Sequence, residues 1–564
     1  MPDPKALRIL AWLFFPAFSL GAADLEKKPL KVRKAIAGPL FSPIPSTESG
    51  VTFTNPVDES HPFTRLYATS FACGGIAIGD ANQDGKNDLF FTSGPGRNRL
   101  FLQTGPFQFV GSELDFGYEH WAAGVTFVDI DSDGDDDLYV CHYDAPNALF
   151  INESRPGEPT PVFVEKAKAF GLDLSDASLM PSFCDYDRDG DLDLFILCHA
   201  YERETGRPKE LPIERENGRY HIRPEFDRYY KIRENPGRRP GFTEAGRANY
   251  LYRNDGPDPT GQIRFTDATS ASGLTGRGFG NSATWWDSND DGWLDLYVGN
   301  DLRDPDQLFL NSGNGTFTEV IRNTTGHTPW FSMGADAADI NNDARMDLLV
   351  ADMAGRSQAS SKATMGDIRR FRSFLLSAEP RQYMRNALFL NTGTSRLIDI
   401  APLAGVARSD WTWAVKFADY DNDGRTDLFL TNGVARSFND ADHAMTPRDR
   451  IGQTQWDYWK DFPPRNERNL AFKNEGDLRF SEVSETWGLD LEGMSYSAAT
   501  GDLDGDGDLD LVVNNLNTES VLYRNQSASG NLLRIQLQSH SPNRRAIGAR
   551  LTLQTNQGSQ TRQL

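Results

Sequence analysis

The chain has 564 residues, 58 basic and 80 acidic side chains, and a formal net charge of −22. That charge excludes a generic nucleic-acid binder, whose affinity rests on a basic surface, and 38% hydrophobic with 11% aromatic residues excludes a disordered chain. Fifty glycines and 31 prolines without a triplet period exclude collagen and coiled coil and point to many short elements joined by turns.

At the N-terminus, Lys5 and Arg8 flank the start of an uncharged run from Ile9 to Ala23 that ends in small residues. This is the pattern of a secretory signal peptide over 1–23, cleaved near Ala22 or Ala23. The run is shorter than the roughly 20 apolar residues that span a bilayer, and Pro16 interrupts it; an uncleaved anchor is the alternative. No later segment reads as a membrane span, so the expected product is secreted, extracellular or periplasmic. Residues 24–46 read as a linker. Cys73, Cys141, Cys184 and Cys198 are too few for a disulfide scaffold and read as small buried hydrophobes, with any pairing left open.

From residue 47 a repeat dominates. The pattern D-x-[DN]-x-D-[GA]-x-x-D-L begins at Asp80, Asp129, Asp185, Asp287, Asp339, Asp419 and Asp502. An apolar stretch precedes and follows each copy, so the acidic loop joins two strands, A and B. A second signature follows each copy once, at Asn98, Asn147, Asn249, Asp306, Asn386, Asn469 and Ser520, and marks strand C. In six cases an asparagine ends that strand (Asn152, Asn254, Asn311, Asn391, Asn474, Asn525), which reads as a turn residue. A short apolar strand D comes next, as in GTFTEV around Phe317. Four-stranded units repeated in this way describe an all-β fold, a seven-bladed β-propeller over 47–529. The last repeat lacks a strand D, and Gly50–Thr54 has no A, B or C of its own, so the N-terminal strand is expected to close the last blade. A short C-terminal β module follows, over 530–564.

Carboxylates at loop positions 1, 3, 5 and 9 with glycine at 6 form an oxygen ligand set suited to Ca²⁺; the absence of His and Cys argues against zinc. The candidate ligands are Asp80, Asn82, Asp84 and Asp88; Asp129, Asp131, Asp133 and Asp137; Asp185, Asp187, Asp189 and Asp193; Asp287, Asn289, Asp291 and Asp295; Asp339, Asn341, Asp343 and Asp347; Asp419, Asp421, Asp423 and Asp427; Asp502, Asp504, Asp506 and Asp510. Up to seven ions are expected, one clamping each A–B hairpin. The Asp339 loop, with Ala344 in place of glycine, is expected to be weakest, because alanine disfavours positive φ.

These loops resemble the FG-GAP and VCBS-type repeats of integrin alpha-like propellers, over about residues 47 to 528. The tail is similar to the ASPIC/UnbV module of the cartilage acidic protein-like family, in Asn531-Leu-Leu-Arg-Ile-Gln-Leu537 and in Asn543 to Arg550, though it stops after two or three predicted strands. Phe331 to Asp343 resembles that family's propellers too. The resemblance implies a secreted calcium-bound protein of adhesion or matrix contact and assigns no catalytic residue.

Chain direction puts the B–C and D–A connections on the face opposite the acidic loops. Three large B–C insertions fall there, at about 200–247, 355–385 and 433–468, rich in Arg and Tyr, including Arg369, Arg370 and Arg372. Trp121, Trp330, Trp411, Trp413 and Tyr496 start A strands at the same face. They read either as a stacking platform for a protein or carbohydrate ligand or as packing between blades. The leading reading is a binding or adhesion module; the alternative is a polysaccharide lyase or hydrolase using a base such as His120 or His199.

Overall fold

The computed structural model describes residues 8–12 and 38–564, apart from 70, 118–119, 157, 234–238, 303, 367–377, 444, 447, 528–529, 531 and 556–557. The expected cleavage site and Arg369, Arg370 and Arg372 lie outside the described residues. Short apolar runs bounded by Gly, Asn and Asp turns become strands nearly throughout, and the strands associate as antiparallel four-stranded meanders, the second and third of which are joined where Ser175 to Ala177 pair with Tyr143 to Pro146. The first consists of Ile76–Gly79, Asp88–Phe91, Arg99–Gly105 and Gln108–Gly111. Five more begin at Ala122–Val128, Ser175–Cys184, Gly280–Trp286, Ala335–Ala338 and Thr412–Ala418. In every one the acidic loop joins the first two strands. The first strands pack side by side in chain order, and Ser495–Gly501, the first strand of the last unit, packs against Ile76–Gly79. The sheets thereby curl into a propeller-like ring.

The ring closes through the N-terminus, but not where the apolar alternation pointed. Phe41–Ile44 pairs antiparallel with Val521–Asn525 and completes the sheet formed by Ser495–Gly501 and Asp510–Asn515. This strand lies inside the stretch read as a linker. It was masked by Pro43, which an edge strand tolerates because one side of its backbone needs no partner. Gly50–Thr54 is instead a wedge: Val51 and Phe53 are buried between the last and first sheets with Leu89, Phe91, Phe101, Val512 and Leu522. The alternation reported burial there, with pairing limited to a bridge from Thr54 to Glu519.

A polar seam accompanies these apolar clusters. The side chain of each asparagine ending strand C accepts a local backbone N–H, as for Gly313 onto Asn311 Oδ1 at 3.0 Å, which is the turn role expected. Its amide nitrogen reaches further. Asn152, Asn311, Asn391, Asn474 and Asn525 donate at 2.8–3.0 Å to the carbonyls of Ala81, Tyr186, Ser288, Ile340 and Tyr420, each at position 2 of the preceding unit's acidic loop. In the first unit Gln103 takes this place and donates to Leu503 of the last. A buried amide leaves no cheap alternative to these bonds. All four cysteines are buried, and none is in a disulfide.

The C-terminal part has two strands, Arg550–Thr555 and Gly558–Gln563, with Arg8–Trp12 paired along the other edge of the first. Residues 532–537, which carry the first resemblance motif of the tail, form no strand. Among the described residues no helix is long and apolar enough to cross a membrane.

Replacing Asn474 by alanine removes the latch and strands the Ile340 carbonyl, and is expected to cost about 1–3 kcal/mol in urea unfolding. Exposed Asn314, replaced likewise, is expected to change stability by less than about 0.5 kcal/mol.

Candidate metal centres and the opposite face

Each acidic loop is organised by the aspartate at position 9. Asp88, Asp137, Asp193, Asp295, Asp347, Asp427 and Asp510 are all buried. One oxygen of each accepts the backbone N–H at position 2 of its own loop, at 2.8–3.2 Å. The other accepts the N–H of the residue ending strand C, at 2.7–2.9 Å. One carboxylate thus ties three parts of its unit together. The loops turn through two left-handed residues, at position 4 as well as position 6: φ is 58° at Asn422 and 91° at Gly424. In the first, fourth, fifth, sixth and seventh loops the position 1 carboxylate accepts the N–H groups of positions 5 and 6, as Asp419 does from Asp423 and Gly424 at 3.0 and 2.8 Å.

Ala344 also takes a left-handed conformation, φ 73°, and donates to Asp339 at 2.9 Å as the glycines do. The alanine therefore does not distort the loop. It adds backbone strain of about 1 kcal/mol, leaving the ligand geometry in place.

The donor chemistry fits a hard divalent cation. In four loops the carboxylates of positions 1, 3 and 9 offer oxygens within 4.8 Å of one another: Asp129, Asp131 and Asp137; Asp185, Asp187 and Asp193; Asp419, Asp421 and Asp427; Asp502, Asp504 and Asp510. Both oxygens of Asp129 and one of Asp185 are buried with no hydrogen-bond donor. Like charges this close are unfavourable without a counter-ion. In the sixth loop the Lys473 ammonium bridges Asp421 and Asp423, holding a positive charge where a metal would. The other three loops relieve the repulsion differently. With Asn at position 3, the amide nitrogens of Asn289 and Asn341 donate to Asp291 and Asp343 at 2.9 and 3.1 Å, and in the first loop Lys86 pairs with Asp84. Position 5, expected as a fourth ligand, turns one oxygen to the N–H of position 7, as in Asp291 to Trp293 at 2.8 Å.

Burial sets the titration of the position 9 carboxylates. It pushes Asp88 and Asp295 up to about 7, Asp347 and Asp427 to about 8, and Asp137 and Asp193 to about 9, against backbone hydrogen bonds that favour the anion. A raised folded pKa lends stability below the ordinary value of 3.8, and that stability is lost as pH rises through 7 to 9.

The opposite face is closed. Trp121, Trp330, Trp411, Trp413 and Tyr496 are between 0% and 9% exposed and belong to one large buried cluster. The turn Thr64–Ala68 and the helix Gln455–Trp459 cover them: Tyr67 packs on Trp121 and on Trp456, at 5.3 and 5.4 Å between rings. The aromatic mouth is therefore core, because the insertions fold inward over it. These insertions are joined to one another. Arg207 and Arg450 to Gly452 exchange backbone hydrogen bonds, Gly366 donates to Asn439, and Arg465 donates to Ser360 at 2.8 Å. Leu211, Tyr383 and Ile451 are exposed on this roof. His199, one candidate base, is buried and stacked on Phe71 at 3.7 Å, and burial pushes its pKa down to about 3. It is neutral and out of reach of a substrate. His120 is exposed.

With metal removed by chelator, the thermal midpoint is expected to fall as pH is raised from about 5 to about 9, because the buried carboxylates must ionise. Excess Ca²⁺, which favours their anionic form, is expected to flatten or reverse that slope in parallel calorimetric scans.

A family model for the FG-GAP-like repeat matches residues 80–140, 287–350, 375–430 and 464–513, which contain six of the seven acidic loops and leave out the one at Asp185. Cartilage acidic protein 1 of Homo sapiens is 22% identical over 455 residues, covering 73% of this chain and 59% of that protein. The Xenopus tropicalis protein of the same name is 23% identical over 458 residues, covering 73% and 61%. The chain thus spans about three fifths of the length of these relatives. A solved Agrocybe aegerita lectin that recognises non-reducing terminal N-acetylglucosamine superposes with a TM-score of 0.38 and 13% identity, over 74% of this chain and 84% of that one. Acidic loops, four-stranded units and matched repeats agree: the chain is an all-β, propeller-like protein that carries FG-GAP-like repeats and is similar to cartilage acidic protein 1.

Proposed function

We propose that this protein is an exported, calcium-stabilised binding or adhesion module that engages a protein or carbohydrate ligand through its insertion-bearing face. The observation that carries the binding role is the roof. Insertions from three separate repeats, brought together only by the ring, are hydrogen-bonded into one surface, and exposed Leu211, Tyr383 and Ile451 supply apolar contact points on it. Loops placed on a rigid scaffold in this way are the usual seat of recognition. Export rests on the charged and apolar pattern of residues 1–23.

Calcium has a structural role in this reading, one ion per hairpin, strongest where position 3 is Asp and weakest at the Asp339 loop, where Asn341 already relieves the charge and Ala344 adds strain. Elemental analysis of dialysed protein is expected to find up to seven calcium ions per chain, and a raised thermal midpoint over chelator-treated protein. Asp423→Ala is expected to remove one ion and to lower the midpoint in calcium more than in chelator; equal losses under both conditions would contradict a metal role for that loop.

Glycan arrays and immobilised matrix proteins test the face. Saturable binding without new reducing or unsaturated ends is the expected result, and Leu211→Asp with Ile451→Asp is expected to weaken it by about tenfold or more at unchanged stability. Turnover of a polysaccharide would favour the enzymatic alternative.

A further inference from the structure

The last 35 residues carry five arginines and no acidic side chain, in a chain whose net charge is −22. Four of them contact the acidic loops, and the fifth, Arg562, lies within their field. Arg534 pairs with Asp502 at 3.2 Å, and Arg545 with Asp136 at 2.6 Å. Arg550 pairs with Asp290 at 2.8 Å and approaches Asp287 at 3.7 Å. Arg544 donates to the Asp133 carbonyl at 3.3 Å. The field of Arg562 favours the anionic forms of Asp339 and Asp419. Uncharged contacts fix the segment in the same place: Asn543 N–H donates to the Gly190 carbonyl at 2.7 Å, Gln563 to the Trp285 carbonyl at 3.0 Å, and Ile547 packs on the apolar cluster between the second and third units. The segment therefore touches or faces loops all round the ring.

Two of these partners, Asp502 and Asp287, occupy position 1 of their loops and are candidate metal ligands. Arg534 takes the Asp502 oxygen that also accepts the Gly507 N–H at 3.1 Å. A carboxylate oxygen that binds a divalent cation loses most of its attraction for a guanidinium, since the ion is itself the largest local charge.

We propose that residues 530–564 are an intramolecular ligand of the acidic-loop face, and that Arg534 and Arg550 compete with calcium for the carboxylates of Asp502 and Asp287, so that calcium loading loosens the segment and frees the face for a basic partner. This rests on the calcium reading above. The competition is reciprocal: whatever factor calcium takes from docking of the segment, the segment takes from calcium affinity.

Hydrogen exchange on the full chain, with calcium alone as the probe against sodium chloride of matched ionic strength, tests the release. Amides of 539–564 are expected to exchange faster in calcium, while the strands of the ring are protected. Titration calorimetry then compares the unaltered chain with the triple variant Arg534→Gln, Arg545→Gln, Arg550→Gln. Loss of the competitor is expected to tighten calcium binding by about fivefold or more. Calcium that binds and stabilises the ring with no change in exchange over 539–564 overturns the proposal and leaves the calcium reading standing. No calcium binding at all overturns both. Should the triple variant fail to fold, the exchange measurement on the unaltered chain decides alone.

Discussion

The buried aspartate at the ninth position of each acidic loop is the interaction on which the rest of the molecule depends. Its two oxygens accept backbone N–H groups from its own loop and from the end of strand C, so strands A, B and C meet at one carboxylate. A residue so placed must be short and carry two acceptor oxygens, and only aspartate combines these properties without reaching past the turn. Burying it is costly unless the charge is neutralised. The fold meets that cost by proton uptake, by neighbouring ammonium and guanidinium groups, or by a bound cation. The same feature thus sets the hairpin geometry, the dependence of stability on pH, and the fit for calcium.

The second level of organisation runs between units. The asparagine at the end of strand C donates its amide to the position 2 carbonyl of the preceding acidic loop, and that position's N–H is bound by the ninth-position aspartate. Six of the seven loops are therefore held from both sides, by their own unit and by the next. Distortion of one loop, by loss of its ion or of its aspartate, is transmitted to the seam and not confined to the hairpin. Apolar clusters such as Val51 and Phe53 with Leu89 and Val512 supply most of the stabilisation between sheets. The amide latches select register, since an apolar interface alone tolerates small slips.

The two faces of the ring differ in chemistry because of where insertions are tolerated. On the acidic face the turns are short and each is tied to its own strands by the ninth-position carboxylate, which leaves no room for added residues. At the other end, the side chain that begins strand C binds the last N–H of strand B, as Asn386 does for Asp352 at 2.8 Å and Asn469 for Asn432 at 2.9 Å. That bond closes the B–C junction whatever lies between, so long insertions enter without disturbing the sheet. Once present, they bury the aromatic ends of the A strands and present a new surface outward.

The repeat, its strand order, the acidic hairpins and the closure of the ring by an N-terminal strand were all legible in the amino-acid sequence, because each is written in local spacing: a ligand set at fixed offsets, a period-2 alternation, a turn residue at a strand end. What was misread depends on which segments meet. Phe41–Ile44 rather than Gly50–Thr54 closes the ring, since a proline-bearing edge strand and an apolar wedge look alike until the partner strand is present. The aromatics of the A strands, which the sequence left open between platform and packing, are core because segments far away in the chain fold over them. The asparagine latches and the arginines of the last 35 residues look like ordinary turn and surface residues, and acquire their roles only when a neighbouring loop stands within hydrogen-bonding reach. Local geometry is encoded in local sequence; burial, charge pairing and the choice of partner are properties of the assembled ring.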